Sequence, residues 1–161
     1  MHPEFSSSFR VRSYELDGLG HLNHAVFLNW YEQARFDALE GAGFPPGELA
    51  REGWGVHVVR IEVEYRRECR LGDELEVQTR VDEFRNSSMT IRQVMRRGAG
   101  AEAGDGGEGG GGGGAGDTRE PGELVSEAKV VAVWVGPDGR PMRIPASVRE
   151  ALSEPRTPRR P

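Results

Sequence analysis

The run from His24 to Gly43, HAVFLNWYEQARFDALEGAG, is the strongest limit on how this chain can fold. Phe27, Trp30, Tyr31, Ala34 and Ala38 recur at helical spacing and make one apolar stripe, which Leu28, Phe36 and Leu39 widen. A helix apolar over most of its circumference must be buried. A curved sheet wrapped around it would bury it. The helix is predicted to begin at Asn23 or His24, because the Asn23 side-chain oxygen can accept from a free N–H of the first turn. Gly41 to Gly43 supply its end.

The rest of the chain reads mostly as strands. Phe9 to Leu16 alternates as a strand, after a loose terminus from Met1 to Ser8. Pro45-Pro46 breaks the chain, and Gly47 to Glu52 suits a short second helix. Trp54 to Cys69 is a long strand in which Val59, Ile61, Val63 and Tyr65 alternate with Arg60, Glu62 and Glu64. Glu74 to Phe84 places Leu75, Val77, Thr79 and Val81 on one face, and Ser88 to Arg97 carries Met89, Ile91 and Met95. Glu123 to Val135 ends in a run apolar on both faces, which implies burial on both. After the turn Gly136-Pro137-Asp138-Gly139, Pro145 to Leu152 suits a terminal helix, with a loose tail from Ser153 to Pro161. The three middle strands have short connections and are expected to pair antiparallel. The fold class is α+β: a single domain, residues 1–161, with a five-stranded antiparallel sheet around one long central helix. Five strands leave open edges.

Twelve of the 23 glycines lie between Gly98 and Gly116, six of them in succession from Gly109 to Gly114. Such a run has high backbone entropy and little to bury, so Gly98 to Gly122 reads as a disordered insertion between two paired strands. It lacks the Gly-Lys-Ser/Thr ending of a phosphate-binding loop.

Net charge is −5, without the basic excess of a nucleic-acid binder. The one cysteine, Cys69, allows no intrachain disulfide and fits a reducing compartment. Met1 to Ser8 has neither the basic start nor the apolar run of a signal peptide. No apolar stretch approaches the ~20 residues that span a bilayer. These features read as a soluble cytoplasmic protein.

The chemistry is expected in the turn that enters the long helix. Asp17 opens it, Gly18 and Gly20 loosen it, and His21, Asn23 and His24 lead into the helix. A carboxylate there lies beside unpaired backbone N–H groups and the positive end of the helix dipole. Together they supply a base or nucleophile and an oxyanion-stabilising donor, as acyl transfer requires. The structural alternative is that an Asp before Gly merely favours a turn. His21 and His24 lie across a turn beside a lone carboxylate, a poor pattern for a metal site.

Asp17-x-x-Gly20, His24-Ala25, Phe27 and Glu32-x-x-Arg35 together resemble the N-terminal signature of the 4-hydroxybenzoyl-CoA thioesterase-like acyl-CoA thioesterases, which have the hotdog fold. The resemblance continues in Gly72-Asp73-Glu74-Leu75, Asp138-Gly139-Arg140-Pro141 and Ile144-Pro145, and so covers about Phe9 to Leu152. The glycine tract has no counterpart in that pattern. The resemblance implies hydrolysis of an acyl-CoA, or of an acyl carrier protein thioester, with no metal or redox cofactor. It implies that Asp17 is the catalytic carboxylate, as general base or nucleophile, and that the His24 backbone N–H polarises the thioester carbonyl. The His24 imidazole would assist. Gly20 belongs to the motif, His21 is a less constrained neighbour, and Asn23 would cap the helix, orient Asp17, or both. Glu32 and Arg35 read as an ion pair, with Glu32 a reserve catalytic carboxylate. The acyl group would lie beside the central helix at the interface of a homodimer or homotetramer. Phosphates of coenzyme A would meet some of Arg66, Arg67, Arg70, Arg92, Arg96, Arg97 and Arg143.

Two other readings are open. A hotdog hydratase or dehydratase would place a histidine five residues after the aspartate, but Leu22 stands there. A non-catalytic acyl-CoA-binding hotdog module would bind the thioester without turnover.

Overall fold

The computed structural model describes residues 4–98 and 120–153. Its elements are β1 (Phe5–Arg10), a single 3₁₀ turn (Ser13–Glu15), α1 (His24–Gly41), α2 (Pro46–Glu52), β2 (Gly55–Tyr65), β3 (Glu74–Phe84), β4 (Ser88–Arg97), β5 (Leu124–Val135) and α3 (Ala146–Ala151). The five strands form one antiparallel sheet in the order β1-β3-β4-β5-β2, and α1 lies against it. This is the hotdog arrangement. The expected disordered insertion and the tail beyond Ser153 lie outside the described residues, apart from Gly98 and Glu120 to Gly122 at the base of the insertion.

Period-two patterning explains the sheet. Leu75, Val77, Thr79 and Val81 of β3 are buried, as are Met89, Ile91, Gln93 and Met95 of β4 and Ala128, Val130, Ala132 and Trp134 of β5. These side chains and the buried face of α1 form one core, in which Tyr31 and Trp134 are fully enclosed. On β5, Val131, Val133 and Val135 are half-buried rather than buried, so only one face of that strand meets the core. On α1, Leu28 and Phe36 do not join the core and remain 37% and 43% exposed.

Three expectations are corrected. The first concerns the N-terminus: Phe5 to Arg10 is a strand rather than part of a loose terminus, paired from Phe5↔Thr79 to Arg10↔Glu74. The Ser6-Ser7-Ser8 run hides it, yet Ser7 is buried and its Oγ donates to Asp37 Oδ2 at 2.8 Å. The strand also stops at Arg10 and does not reach Leu16. Glu15 is turned inward, accepting from the Arg12 N–H (2.9 Å) and from Trp30 Nε1 (3.0 Å), and those bonds close the 3₁₀ turn.

The second concerns pairing. β2 does not pair with β3 but crosses to the far edge of the sheet beside β5. The connection from Arg66 to Asp73 is long enough to carry the chain across the end of the sheet, so a short link did not imply adjacency.

The third concerns the faces of β2. A bulge shifts its register between Val58 and Arg60. Val56 and Val58 therefore share the helix-facing side with Ile61, Val63 and Tyr65, opposite the inward residues Trp134, Ala132, Val130, Ala128 and Ser126. Val59, expected on that side, is the extra residue and is 62% exposed.

Candidate active site

The turn before α1 is held by its own hydrogen bonds. The Asp17 N–H donates to the His21 carbonyl (2.7 Å), and the Gly20 N–H to the Asp17 carbonyl (3.1 Å). Gly20 has φ +77°, a left-handed conformation that a residue without Cβ adopts at little cost. Leu22 is buried and donates its N–H to the carbonyl of Cys69 (2.7 Å), which fastens the turn to the loop between β2 and β3.

Asp17 Oδ1 accepts from the N–H of Leu19 (2.8 Å) and of His21 (3.1 Å). The structural alternative for Asp17 is thus realised, but only through one oxygen. Among the described residues Oδ2 has no hydrogen-bond partner. The His21 N–H, then the Leu19 N–H, hold this carboxyl below the usual carboxylate range.

Asn23 is the N-cap of α1. Its side-chain oxygen accepts from the Ala25 N–H at 2.9 Å, and its carbonyl takes the Val26 N–H. Its side chain therefore caps the helix and is not among the groups lining the cleft. The His24 N–H has no protein acceptor among the described residues, so the first turn of α1 presents an unpaired donor there.

Asp17, His21 and His24 line one open cleft of about 280 Å³. Sequence reasoning missed two of the groups they meet in it, Tyr65 and Glu68. The Tyr65 hydroxyl donates to the His24 carbonyl (2.9 Å), with the ring edge-on to His24 and to Phe27 at 6.3 and 5.1 Å between centroids. Partial burial raises that hydroxyl above its usual pKa. Glu68 Oε2 lies 2.9 Å from His21 Nε2. Arg66 joins them, paired with Glu64 (2.6 Å) and Glu127 (2.9 Å). Arg67, like Arg66 one of the arginines expected to meet a phosphate, also lines the cleft and pairs with Glu123 at 2.9 Å. Tyr65 and Glu68 lie more than forty positions from the Asp17 turn. No local spacing marks them, because the crossing of β2 to the sheet edge brings them in.

Behind the cleft wall, Arg97 is 8% exposed. It donates to Asp73 Oδ2 (2.9 Å), Glu123 Oε2 (2.7 Å) and the Glu68 carbonyl (2.7 Å). It is therefore a structural clamp and is removed from the arginines available to a phosphate.

A second, apolar pocket of about 80 Å³ lies under the second half of α1, lined by Phe36, Leu39, Val56, Val58 and Ile91, with Glu32 and Arg35 in its wall. The Glu32–Arg35 ion pair is not formed. Arg35 Nη1 instead donates to Gln93 Oε1 (2.9 Å), while Gln93 Nε2 donates to the Tyr31 carbonyl (2.9 Å) and Thr79 Oγ1 (3.0 Å). Burial lowers the Arg35 guanidinium pKa, and the charge of Glu32 opposes that. Glu32 stands in the apolar pocket and not in the Asp17 cleft, so the reserve carboxylate is not joined to the other site residues.

Residues 11–152 match the family model of the thioesterase-like superfamily. Among curated proteins, the chain is 28% identical over 140 residues to the chloroplastic acyl-acyl carrier protein thioesterase ATL3 of Arabidopsis thaliana, covering 87% of this chain and 63% of that protein. It is 33% identical over 89 residues to the long-chain acyl-CoA thioesterase FadM of Escherichia coli, covering 55% of this chain and 67% of FadM. The chain thus spans less than two thirds of the length of ATL3. A solved structure of a 4-hydroxybenzoyl-CoA thioesterase mutant complexed with 4-hydroxybenzoyl-CoA superposes with a TM-score of 0.75 at 18% identity, covering 93% of this chain and 99% of that one. Among the described residues no helix is long and apolar enough to cross a membrane.

Proposed function

This chain belongs to the thioesterase-like superfamily, and from that premise we propose that it hydrolyses an acyl thioester, on coenzyme A or on an acyl carrier protein, to the free acid and a thiol. The observation that carries the reading is the Asp17 cleft: a carboxylate with one oxygen uncommitted among the described residues shares it with an N–H at the start of α1 that has no acceptor among them. Asp17 Oδ2 acts as nucleophile or general base on the thioester carbon. The His24 N–H takes the developing charge on the carbonyl oxygen, where a fixed donor stabilises the transition state without reorganising. Tyr65 holds the His24 carbonyl and so sets the direction of that first turn. Arg66 and Arg67, which line the cleft, would meet the phosphates of a coenzyme A or carrier arm.

The acyl chain runs from the cleft along α1. α1 meets β2 at both ends of this path: His24 and Tyr65 share the cleft, and Phe36 and Val58 line the apolar pocket. From His24 to Phe36 the helix rises roughly 18 Å, a length that suits a medium or long acyl chain.

Val58, Ile61 and Tyr65 are exposed on an edge strand, with Phe36 of α1 beside Val58, which makes this an apolar surface without a partner among the described residues. We assign it to a second copy of the chain, paired β2 to β2. Light scattering is expected to give a dimer or a multiple of it, and Ile61→Lys is expected to shift the mass towards the monomer. A monomeric wild type would remove this assignment.

Thiol release from a panel of short, long and aromatic acyl-CoAs, with acyl carrier protein thioesters alongside, tests the activity. Turnover of at least one class is expected. Tight binding of every thioester without thiol release would instead favour a binding module, and crotonyl-CoA hydration a hydratase.

A further inference from the structure

We propose that His21, oriented by Glu68, is the general base that deprotonates the water of the second half-reaction; this rests on the thioesterase reading above. The two side chains form a hydrogen-bonded pair, Nε2 to Oε2 at 2.9 Å, in the same cleft as Asp17 and His24. With Nε2–H committed to Glu68, the neutral imidazole is held in the tautomer whose Nδ1 lone pair accepts a proton. A carboxylate that orients a histidine in this way is a recurring device of acyl-transfer sites.

The pair is built in from both sides. On the His21 side, the residue's N–H and carbonyl are each taken by Asp17, and the next residue, Leu22, is anchored on Cys69. On the Glu68 side, the backbone carbonyl is held by Arg97 Nη2 at 2.7 Å, and the carboxylate's other oxygen accepts from Arg70 Nη2 at 2.7 Å. The two side chains are 28% and 44% exposed, so water can reach the pair, while the hydrogen bonds to both backbones and to the second Glu68 oxygen fix its position.

Asp17 is poorly suited to the same task. Two N–H groups already stabilise its anion, which makes it a weaker base but leaves Oδ2 free to attack. The division of labour follows. Asp17 Oδ2 bonds to the thioester carbon, the C–S bond breaks, and the electron pair leaves with the thiolate. Water then adds to the acyl carbon of the mixed anhydride and gives one proton to His21 Nδ1. The bond to Asp17 Oδ2 breaks, which restores the carboxylate and frees the acid. The departing thiolate takes a proton from solvent in the first half-reaction, and after the second the imidazolium and the acid each release one to solvent.

The test is pre-steady-state thiol release by wild type, His21→Ala and Glu68→Gln, using whichever thioester the wild type turns over fastest. His21→Ala is expected to lose about 10²–10⁴-fold in steady-state turnover and to show a burst of one thiol per site, because the acyl-enzyme accumulates. Added imidazole is expected to recover part of the rate. Glu68→Gln, which keeps a side chain of the same shape, is expected to lower kcat and KM together and leave kcat/KM little changed, because only the step after thiol release is slowed. Circular dichroism and thermal melting establish that each variant is folded. Folded His21→Ala turning over within threefold of wild type, or slowed with neither burst nor imidazole rescue, overturns the assignment and leaves the thioesterase reading intact. A wild type that releases thiol from no thioester overturns both.

Discussion

Asp17→Asn is expected to abolish thiol release, with a loss of about 10³-fold or more, while the protein stays folded. Asparagine keeps one side-chain oxygen. That oxygen can go on accepting from the N–H groups of Leu19 and His21, so the turn survives. What disappears is the second, anionic oxygen. The measurement is thiol release by wild type and variant side by side, with the melting temperature and mass of each recorded. An unchanged melt with lost turnover assigns the carboxylate to chemistry. Turnover within tenfold of wild type would reduce Asp17 to a turn former. The pH dependence follows from the same hydrogen bonds. They lower the pKa of Asp17, so the ionised, active form persists below the usual carboxylate range. The acid limb of the first, thiol-releasing half-reaction, read in a single turnover, should therefore fall below the pH at which an ordinary aspartate protonates.

Arg97→Met is expected to be the most destabilising single change near the site, at about 3–5 kcal/mol. The side chain is almost fully enclosed and serves three acceptors: Asp73, Glu123 and the Glu68 carbonyl. Methionine fills much of the volume but leaves two carboxylates and a carbonyl without that donor. Urea unfolding of wild type and variant measures the cost. Arg97→Lys should recover only part of it, because one ammonium cannot reach all three acceptors in the geometry of a planar guanidinium. Burial opposes the charge on Arg97, but the hydrogen bond to Glu123 and the nearby carboxylates more than offset it, and its pKa is raised overall. Glu123 is correspondingly lowered, first by Arg97. A carboxyl whose folded pKa is depressed contributes stability that is fully present above its unfolded pKa. That contribution is lost as the pH falls through the folded one. The gap between wild type and Arg97→Met should therefore be widest near neutrality and narrow below about pH 4. A gap constant down to pH 3 would mean that lost packing, and not lost charge pairing, dominates. Since Arg97 also holds the Glu68 backbone, the variant should lose turnover beyond what its unfolded fraction explains.

Much of this was legible in the sequence because its signals are local. The apolar spacing from Phe27 to Leu39 and the cap at Asn23 define α1 at His24–Gly41, and alternation alone delimits β3 and β4 at Glu74–Phe84 and Ser88–Arg97. Asp17, His21 and His24 also lie within one turn of chain, so their approach is a matter of short-range geometry. Strands with weak patterns were another matter. Phe5–Arg10 is a strand because β3 offers it a hydrogen-bonding edge, and nothing in Ser6-Ser7-Ser8 announces that.

The sequence by itself determined the central helix, the inward faces of β3 and β4 and the turn that carries Asp17. Each depends on side-chain periodicity or capping over a few residues, and those interactions act within the local chain. Only the tertiary structure decided that β2 lies at the far edge beside β5 and that a bulge after Val58 keeps one apolar face towards the helix. It also decided that Tyr65 and Glu68 reach the cleft, and that Arg35 bonds Gln93 rather than Glu32. These are partnerships between segments far apart in the chain. Their physical basis is competition among many available hydrogen-bond and packing partners, which is resolved only when the whole sheet has closed around the helix.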